Sequence, residues 1–262
     1  MMTTPMQKKV ALVTGAAQGV GRATVERLTA HGWSVVAADI DDKMLKWAAD
    51  RDDVATCVAD ISTEDGNAAM VEVAERRFGG LNAAILNAGI SISGPIDTLD
   101  MSDFDKLVAV NLRGVVLGIR AALPALRRVE NGAIAVTASG YALGGDPGFW
   151  AYAATKHAVV GVVKSVAREV GAEGIRINAA CPSAIIGTGL SGPIKETAPA
   201  VHEAIAQAIP MQRWCEPDEV AAVLEFLVSE GSTFVSGTAI PVDGGALAGA
   251  GLLGLSTSSA QF

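Results

Sequence analysis

Short runs of β-branched and small apolar residues alternate with longer segments of helical periodicity, and this alternation constrains the fold more than any other feature. Strands are predicted at 8–15, 33–39, 54–60, 81–89, 133–139, 174–182 and 238–245. Helices are predicted at 20–32, 63–78, 102–128, 151–170 and 216–229. Such alternation is typical of βαβ units. We therefore expect a doubly wound α/β fold with a seven-stranded parallel sheet flanked by helices on both faces.

Length and composition favour a single domain. The chain has 262 residues, of which 50% are hydrophobic and 18% are charged, so a sizeable buried core is expected. No linker rich in Pro, Gly or Ser divides it. We predict one domain over 1–262, with a core at about 8–245 and an apolar tail at 246–262. Neither a signal peptide nor an uninterrupted apolar run long enough to span a membrane is evident, so no membrane segment is expected.

Charge and cysteine usage exclude several classes of protein. The net charge of −8 argues against binding to nucleic acid or to anionic membranes. Cys57, Cys181 and Cys215 form no CxxC pair, so neither a metal site nor a disulfide framework is indicated. Free thiols in a reducing cytoplasm are the simplest interpretation. His157 and His202 have no partner pattern and are interpreted as structural residues.

The first predicted strand ends in a glycine-rich turn, TGAAQGVG. Gly15 permits a sharp exit from the strand, whereas Gly19 and Gly21 allow close approach of a pyrophosphate and close packing of the next helix on the sheet. The phosphates would then meet the N-terminal N–H groups of that helix, near Val20. A tight strand-to-helix connection without a ligand is the alternative interpretation.

The second predicted strand ends in an acid, Asp39. It follows Gly21 at a separation close to the roughly 20 residues expected for a carboxylate that binds the ribose diol of a dinucleotide. No arginine neighbours Asp39, and Gln18 occupies the turn, so a 2′-phosphate would be repelled without compensation. The pattern favours NAD(H) over NADP(H), with a solvated acid at the strand end as the alternative.

One of the two tyrosines of the chain stands in the stretch FWAYAATKHAV. Tyr152 and Lys156 are four residues apart in a predicted helix and share one face. A free tyrosine has a pKa of about 10, and acid–base catalysis by tyrosine near pH 7 to 8 requires a pKa that is lower by ~2–3. A nearby ammonium group favours the phenolate, so Lys156 is expected to lower the pKa of Tyr152.

These motifs, taken in order, resemble the short-chain dehydrogenase/reductase family. TGAAQGVG, ADIDD, VADIS, LNAG, VNLRG with Asn111, Ser139, YAATK and IPVDGG follow one another as in that family, from about Lys9 to Gly245. The resemblance implies a Rossmann-type fold and an NAD-dependent secondary-alcohol dehydrogenase or carbonyl reductase. It also implies a homotetramer in which the 102–128 and 151–170 helices pack between subunits.

The resemblance implies roles for four catalytic residues. Tyr152 is the general acid/base, and Lys156 lowers its pKa and binds the nicotinamide ribose. Ser139 orients the substrate oxygen, and Asn111 holds a water that relays protons to Lys156. Helix packing is the alternative role for Asn111.

The resemblance also implies the residues that contact NAD(H). They are Gly15, Gln18, Gly19, Val20, Gly21, Asp39, Ile40, Asp60, Ile61, Asn87, Ala88, Gly89, Tyr152, Lys156, Pro182, Ile186 and Thr188. A structural turn is the alternative for 87–89. The chain departs from the family pattern in Leu86 before Asn87, in Ser183 after Pro182, and in Gly189–Leu190 after Thr188. Ser183 in place of glycine is expected to narrow the substrate range.

The substrate side is expected to be apolar. Tyr141, Leu143 and Trp150 are the candidate substrate contacts, in a loop that also carries Phe149, and they favour a neutral, fairly hydrophobic secondary alcohol or ketone.

Two other functions stay open at the level of the sequence. One is an NADPH-dependent 3-oxoacyl-carrier-protein reductase, for which Arg120, Arg127 and Arg128 offer some basicity. The other is a non-catalytic nucleotide-binding protein.

Overall fold

A computed structural model describes residues 8–48, 50–189, 191–192 and 194–249, and these residues contain one seven-stranded sheet. The strands are β1 (Val10–Thr14), β2 (Ser34–Asp39), β3 (Val54–Val58), β4 (Ala83–Leu86), β5 (Ala133–Thr137), β6 (Arg176–Pro182) and β7 (Ala239–Val242). They lie in the order β3-β2-β1-β4-β5-β6-β7, and every neighbouring pair is parallel. The predicted parallel sheet is confirmed. Each strand is shorter than predicted, because residues of the adjoining loops at one or both of its ends do not pair in the sheet.

The described residues form eight α-helices, and several of these cover the two faces of the sheet. They are α1 (Gly19–Ala30), α2 (Glu64–Phe78), α3 (Met101–Leu107), α4 (Gly114–Leu126), α5 (Trp150–Val170), α6 (Ile194–Thr197), α7 (Pro199–Ala208) and α8 (Pro217–Val228). Alternate residues of β1 face opposite sides: Leu12 packs in the core beneath α2, α4 and α5, whereas Val13 packs in the core beneath α1 and α8. Burial on both faces explains why the strands are apolar at consecutive positions.

Local signals explain where several helices begin and end. The Thr63 hydroxyl accepts the N–H of Gly66 at 3.0 Å and caps the start of α2, while Gly79 ends that helix with φ 85°. Helix α8 begins at Pro217 within a capping box, in which the Glu219 side chain accepts the N–H of Glu216 at 2.8 Å. These signals are readable in the sequence, so the predicted bounds of both helices are close.

The segment predicted as one helix over 102–128 is more complex. A π-helical turn, Val108–Arg113, separates α3 from α4 within a continuous helical segment, Met101–Leu126. This segment is long and apolar enough to cross a membrane by length and composition, with a mean hydropathy of 1.5. Leu107, Val115 and Ile119 are nevertheless buried inside the protein, as expected for a helix that covers a sheet.

The short elements that were not predicted include α6, α7 and the 3₁₀ helices at Lys43–Ala48, Gly140–Ala142, Gly171–Glu173 and Glu230–Ser232. Pro199 at the first turn of α7 is a start signal for a helix. The segment that follows is short and rich in small side chains, so its helical periodicity is weak. In the predicted tail, residues 246–249 follow β7, and 250–262 lie outside the described residues.

Candidate active site

A cavity of about 1150 Å³ lies along the carboxyl ends of the strands. It crosses the point between β1 and β4 at which the strand order reverses, where open α/β sheets bind their ligands. Most of the predicted site residues line it: Gly15, Gln18, Gly19, Val20, Asp39, Ile40, Asp60, Ile61, Asn87, Ala88, Gly89, Ser139, Tyr141, Tyr152, Lys156, Pro182 and Thr188. The predicted residues that do not line it are Gly21, Asn111, Leu143, Trp150 and Ile186.

The glycines of the turn after β1 have different structural roles. Gly15 and Gly19 have φ values of 66° and 54°, in the left-handed region that favours glycine. Gly21 lies inside α1, where a Cβ atom would come within 2.0 Å of the Gly15 carbonyl oxygen. The close packing of the helix predicted for Gly21 is thus present, and its contact with the cofactor stays a prediction.

The first turn of α1 is open to an anion. Gln18 is its N-cap residue, but the Gln18 side chain makes no capping hydrogen bond, and the first turn carries no acid. In α2, by contrast, Thr63 caps the helix and two acids occupy the first turn. The N–H groups and the positive dipole end of α1, next to Gly19 in the cavity wall, suit the pyrophosphate of a dinucleotide.

Asp39 stands at the end of β2 at one end of the cavity. Its two carboxylate oxygens accept the N–H groups of Ala17 at 3.0 Å and of Asp41 at 3.1 Å. These bonds hold the carboxylate in one orientation beside the glycine-rich turn. Each oxygen keeps a further lone pair with which it can accept a ribose hydroxyl.

A buried threonine that the sequence patterns did not single out joins the two strands at the reversal point. The hydroxyl oxygen of Thr14 accepts the N–H groups of Asn87 and Ala88, each at 3.0 Å. The Asn87 amide donates to the Thr14 carbonyl oxygen at 3.1 Å, and the Thr137 hydroxyl donates to the Asn87 amide oxygen at 3.0 Å. This network ties the ends of β1, β4 and β5 together and sets the floor of the cavity.

Helix α5 and the end of β5 bring together the catalytic candidates. Tyr152 and Lys156 are almost fully buried, at 6% and 3% exposure, and the Lys156 ammonium lies 5.6 Å from the centre of the Tyr152 ring. Lys156 Nζ donates to the carbonyl oxygen of Thr137 at 3.0 Å. The hydroxyl oxygen of Ser139 accepts the N–H of Tyr141 at 3.2 Å, which leaves the Ser139 proton for a hydrogen bond with Tyr152 or with a ligand.

Burial governs the pKa values of this pair. It raises the pKa of Tyr152, an effect that a hydrogen bond with Ser139 partly offsets. Burial also lowers the pKa of Lys156 from 10.5 to about 8, because the ammonium form has lost its hydration. The expected lowering of the Tyr152 pKa is thus wrong for the protein without a cofactor. Desolvation of the Tyr152 phenolate outweighs its attraction to the Lys156 ammonium, whose own charge is destabilised by burial.

Asn111 lies in the π-helical turn and is fully buried. Its amide oxygen accepts the N–H of Ile90 at 2.9 Å, and its amide nitrogen donates to the Ile90 carbonyl at 2.8 Å and to Thr155 Oγ1 at 3.3 Å. The side chain therefore holds the loop after β4 against α5. Its predicted role in a water relay stays a prediction, whereas the π turn itself is typical of functional sites.

The loop after Ser139 forms the substrate side of the cavity. The Tyr141 ring stacks on Phe149 at 5.0 Å and meets the Tyr152 ring edge-on at 5.9 Å. The Tyr141 hydroxyl donates to Asp146 at 3.0 Å, and burial beside that carboxylate raises the pKa of Tyr141 to about 12. Tyr141 therefore stays protonated and presents mainly its ring to a ligand.

Two predicted substrate residues lie elsewhere. Trp150 stacks on Phe104 at 5.7 Å in an apolar cluster that also contains Tyr141 and Tyr152, and Leu143 is exposed to solvent. Phe149 lines the cavity whereas Leu143 and Trp150 do not, and the contact of these two residues with a substrate stays a prediction. Ile186 is likewise absent from the cavity wall, and its N–H donates to the Cys215 carbonyl at 3.0 Å.

Residues distant in sequence close the remaining wall. Ile205 and Ala208 of α7, together with Ile209, Trp214 and Leu247, line the cavity. Trp214 is held in place by a stacking contact with His202 at 4.9 Å and by a hydrogen bond to its carbonyl at 3.0 Å. The apolar periodicity after Pro199 was the only signal that could have pointed to this wall.

Comparison with known proteins identifies the family. A family model described as Enoyl-(Acyl carrier protein) reductase matches residues 15–246. Levodione reductase of Leifsonia aquatica is 37% identical over 256 residues, covering 93% of this chain and 96% of that protein. The chain belongs to the short-chain dehydrogenase/reductase family. Meso-2,3-butanediol dehydrogenase of Serratia marcescens is also 37% identical, over 247 residues, with coverage of 93% and 96%.

Solved structures of this family share the fold. The crystal structure of levodione reductase has a TM-score of 0.84 with 37% identity, covering 90% of this chain and 96% of that chain. The 3-ketoacyl-(acyl-carrier-protein) reductase from Brucella melitensis complexed with NADH has a TM-score of 0.83 with 33% identity, covering 91% and 98%. This short-chain dehydrogenase/reductase is accordingly an oxidoreductase that acts on alcohols or ketones and uses a nicotinamide cofactor.

The residues of this dehydrogenase fit such a cofactor. The uncapped start of α1 suits its pyrophosphate, Asp39 suits a ribose diol, and the cavity continues from there to Tyr152. When bound, a nicotinamide nucleotide accepts or supplies the hydride. Ser139 is placed to donate a hydrogen bond to the substrate oxygen, and Tyr152 to exchange the proton of that oxygen.

The pKa values favour different protonation steps in the two directions. With its pKa raised by burial, Tyr152 is a neutral phenol at pH 7 and is ready to donate a proton to a carbonyl oxygen. Alcohol oxidation requires the phenolate, which positive charge near the ring would stabilise. Lys156 supplies such a charge only at a pH below about 8, where it is protonated.

Proposed function

We propose that this oxidoreductase uses NAD(H) and interconverts neutral, fairly hydrophobic secondary alcohols and ketones. The observation that carries the choice of cofactor is the fixed carboxylate of Asp39 in the cavity wall. Two backbone N–H groups hold it, and no described cationic side chain forms an ion pair with it.

Among the described residues, no nearby positive charge would offset the repulsion between a 2′-phosphate and the Asp39 carboxylate. Arg22 is the basic residue of the glycine-rich turn, but it pairs with Glu26 at 2.8 Å and lies 4.8 Å from the Trp47 ring. Asp41 and Asp42 follow Asp39 and add negative charge. Repulsion between like charges at close range disfavours NADP(H), whereas two ribose hydroxyls can donate to Asp39.

The substrate side supports an uncharged ligand with a hydrophobic body. The cavity that Tyr152 lines has apolar surface from Tyr141, Phe149, Ile205, Ile209 and Leu247. The only ionisable groups near Tyr141 in this wall, among the described residues, are Asp146, which already accepts its hydroxyl, and the catalytic pair. A cyclic or aryl-alkyl secondary alcohol, or its ketone, suits this surface.

The carrier-protein reductase remains a weaker candidate. Arg127 pairs with Glu173, and Arg128 pairs with Glu75. Both arginines follow the end of α4, which returns from the cavity side of the sheet to the edge where β5 begins. They therefore lie at the edge of the sheet opposite the active site, where they cannot guide a carrier to Tyr152.

Cofactor choice is tested with Asp39→Ala. Removal of the carboxylate should lower kcat/KM for NAD about 10- to 100-fold, the range for lost hydrogen bonds to a charged group, and should improve use of NADP. Asp105→Asn, which removes an exposed carboxylate outside the cavity, is the matched control and should leave the preference unchanged. Wild-type turnover with NADP in preference to NAD would overturn the proposal and favour the carrier-protein reductase.

We further propose a homotetramer in a reducing cytoplasm. Helices α4 and α5 would pack between subunits, and Cys57 and Cys181 are free thiols buried in the core. A monomer by light scattering would contradict the assembly. The non-catalytic alternative predicts NADH binding without turnover of any carbonyl compound.

A further inference from the structure

Ser183 places an additional hydroxyl group in the wall of the active-site cavity. It follows Pro182 at the end of β6, and its N–H donates to the Val242 carbonyl of β7 at 3.1 Å, which holds the backbone in place. Within the part of the chain that the structure describes, its side-chain hydroxyl makes no hydrogen bond. The group is therefore available to a ligand as both donor and acceptor.

The Ser183 hydroxyl lies beside the backbone of Gly140. The pairing of Thr137 with Ala180 in β5 and β6, continued along both chains, brings Gly140 opposite Ser183. A Cβ atom at position 140 would come within 2.0 Å of Ser183 Oγ. Glycine at position 140 thus provides the space that this hydroxyl occupies, one residue beyond Ser139.

The backbone next to Ser183 is strained and firmly held. Ala184 has φ 47°, a conformation that costs a residue with a side chain on the order of 1 kcal/mol. The Cys215 N–H donates to the Ala184 carbonyl at 2.9 Å, and the Ile186 N–H donates to the Cys215 carbonyl at 3.0 Å. Both hydrogen bonds are made by the backbone of Cys215 and hold the turn in one conformation. Ser183 therefore faces the cavity in a defined orientation.

We propose that Ser183 is a specificity-determining residue that binds a second oxygen atom of the substrate, on the carbon next to the reacting carbon. The proposal rests on the alcohol–ketone activity proposed above and names its substrate class as vicinal diols and α-hydroxy or α-oxo ketones. Ser139 and Ser183 are one step apart on adjacent strands, which places their Cα atoms about 6 Å apart from strand spacing and rise. Both residues line the same cavity, so a substrate with oxygens on two neighbouring carbons can offer one oxygen to each serine.

The first experiment compares Ser183→Ala with the wild type on matched substrates, with NAD as the cofactor. The pairs are cyclohexanol with 1,2-cyclohexanediol, and 2-butanol with 2,3-butanediol. The wild type should prefer the diols. Ser183→Ala should lower kcat/KM for the diols about five- to tenfold, the effect of one neutral hydrogen bond, and leave the mono-alcohols within about twofold. Ser102→Ala, an exposed serine outside the cavity, is the matched control and should change neither.

The second experiment displaces the hydroxyl and keeps the serine. In Gly140→Ala, the new methyl group forces Ser183 Oγ to rotate away, because the Ser183 Cβ at 3.4 Å can stay in place. This variant should lose the diol preference as Ser183→Ala does. In the Ser183→Ala background, Gly140→Ala should have little further effect, so the two changes should be non-additive.

The outcomes separate this inference from the proposed function. Turnover by the wild type together with an equal loss on diols and mono-alcohols in Ser183→Ala would overturn the role of Ser183 alone. The same holds if the variant weakens NADH binding, measured by nicotinamide fluorescence, and leaves the diol preference intact, since Ser183 would then contact the cofactor. No turnover of any alcohol or ketone by the wild type would overturn the proposed activity and this inference with it.

Discussion

The buried lysine of the active site should destabilise the folded protein at neutral pH, and its removal should reveal this cost. Lys156 is 3% exposed, and burial lowers its pKa from 10.5 to about 8. The unfolded chain therefore binds more protons than the folded chain between pH 8 and 10.5, so this group makes stability rise with pH across that window. Below pH 8 the full cost of burying the charge is present.

The size of the effect follows from the pKa difference. A difference between 10.5 and about 8 corresponds to about 3 kcal/mol of destabilisation at pH 7. Lys156→Met keeps an unbranched apolar side chain but loses the hydrogen bond to the Thr137 carbonyl, at a cost of about 1 kcal/mol. The variant should thus be inactive and about 2 kcal/mol more stable than the wild type at pH 7. At pH 9.5 the gain should shrink by about 2 kcal/mol.

Urea unfolding of both proteins at pH 7 and pH 9.5 measures the two free energies. Lys46→Met, at an exposed lysine outside the proposed subunit contacts, is the matched control and should show no such pH-dependent difference. The reasoning is refuted if Lys156→Met is no more stable than the wild type at pH 7. It is equally refuted if the gain is the same at both pH values, because the cost would then not be electrostatic.

Two further substitutions test the site and the turn. Tyr152→Phe should reduce turnover at least 100-fold, which is the usual contribution of a general acid/base. The free energy of unfolding should change by no more than about 1 kcal/mol, because the ring remains buried. Retained turnover would contradict the mechanism. Gly21→Ala should destabilise the protein by more than about 2 kcal/mol, because its Cβ would lie 2.0 Å from the Gly15 carbonyl oxygen. Gly80→Ala is the control: the space around Gly80 is open, so this variant should be nearly neutral in thermal unfolding. Equal stability of the two glycine variants would contradict the packing role of Gly21.

Much of the fold could be predicted because its signals are local. The strands of a parallel sheet buried on both faces are apolar at consecutive positions, and the helices between them carry caps and one apolar face. The glycine-rich turn and Asp39 were predictable for the same reason. The backbone conformation at Gly15 and Gly19 restricts the residue type directly, and an acid at the end of β2 falls beside that turn whenever β1 and β2 are neighbours.

The parts of the site that could not be predicted depend on distant contacts. Thr14 is an ordinary strand residue until β4 lies beside β1 and presents two N–H groups to it. The pairing of Tyr141 with Asp146, and the choice of Phe149 over Trp150 as a cavity residue, depend on how one loop turns into α5. A sequence pattern does not specify how such side chains and loops are oriented relative to one another.

The sequence by itself determined the parallel sheet, the glycine-rich turn and the choice of candidate catalytic side chains, because periodicity and residue chemistry are properties of short segments. Only the tertiary structure decided how those side chains are protonated and what else surrounds the substrate. The four-residue spacing of Tyr152 and Lys156 predicts attraction between them, but the pKa of each depends on how much water the fold removes from both. Desolvation is a property of the whole packed environment, so it appears only once every neighbouring element is in place.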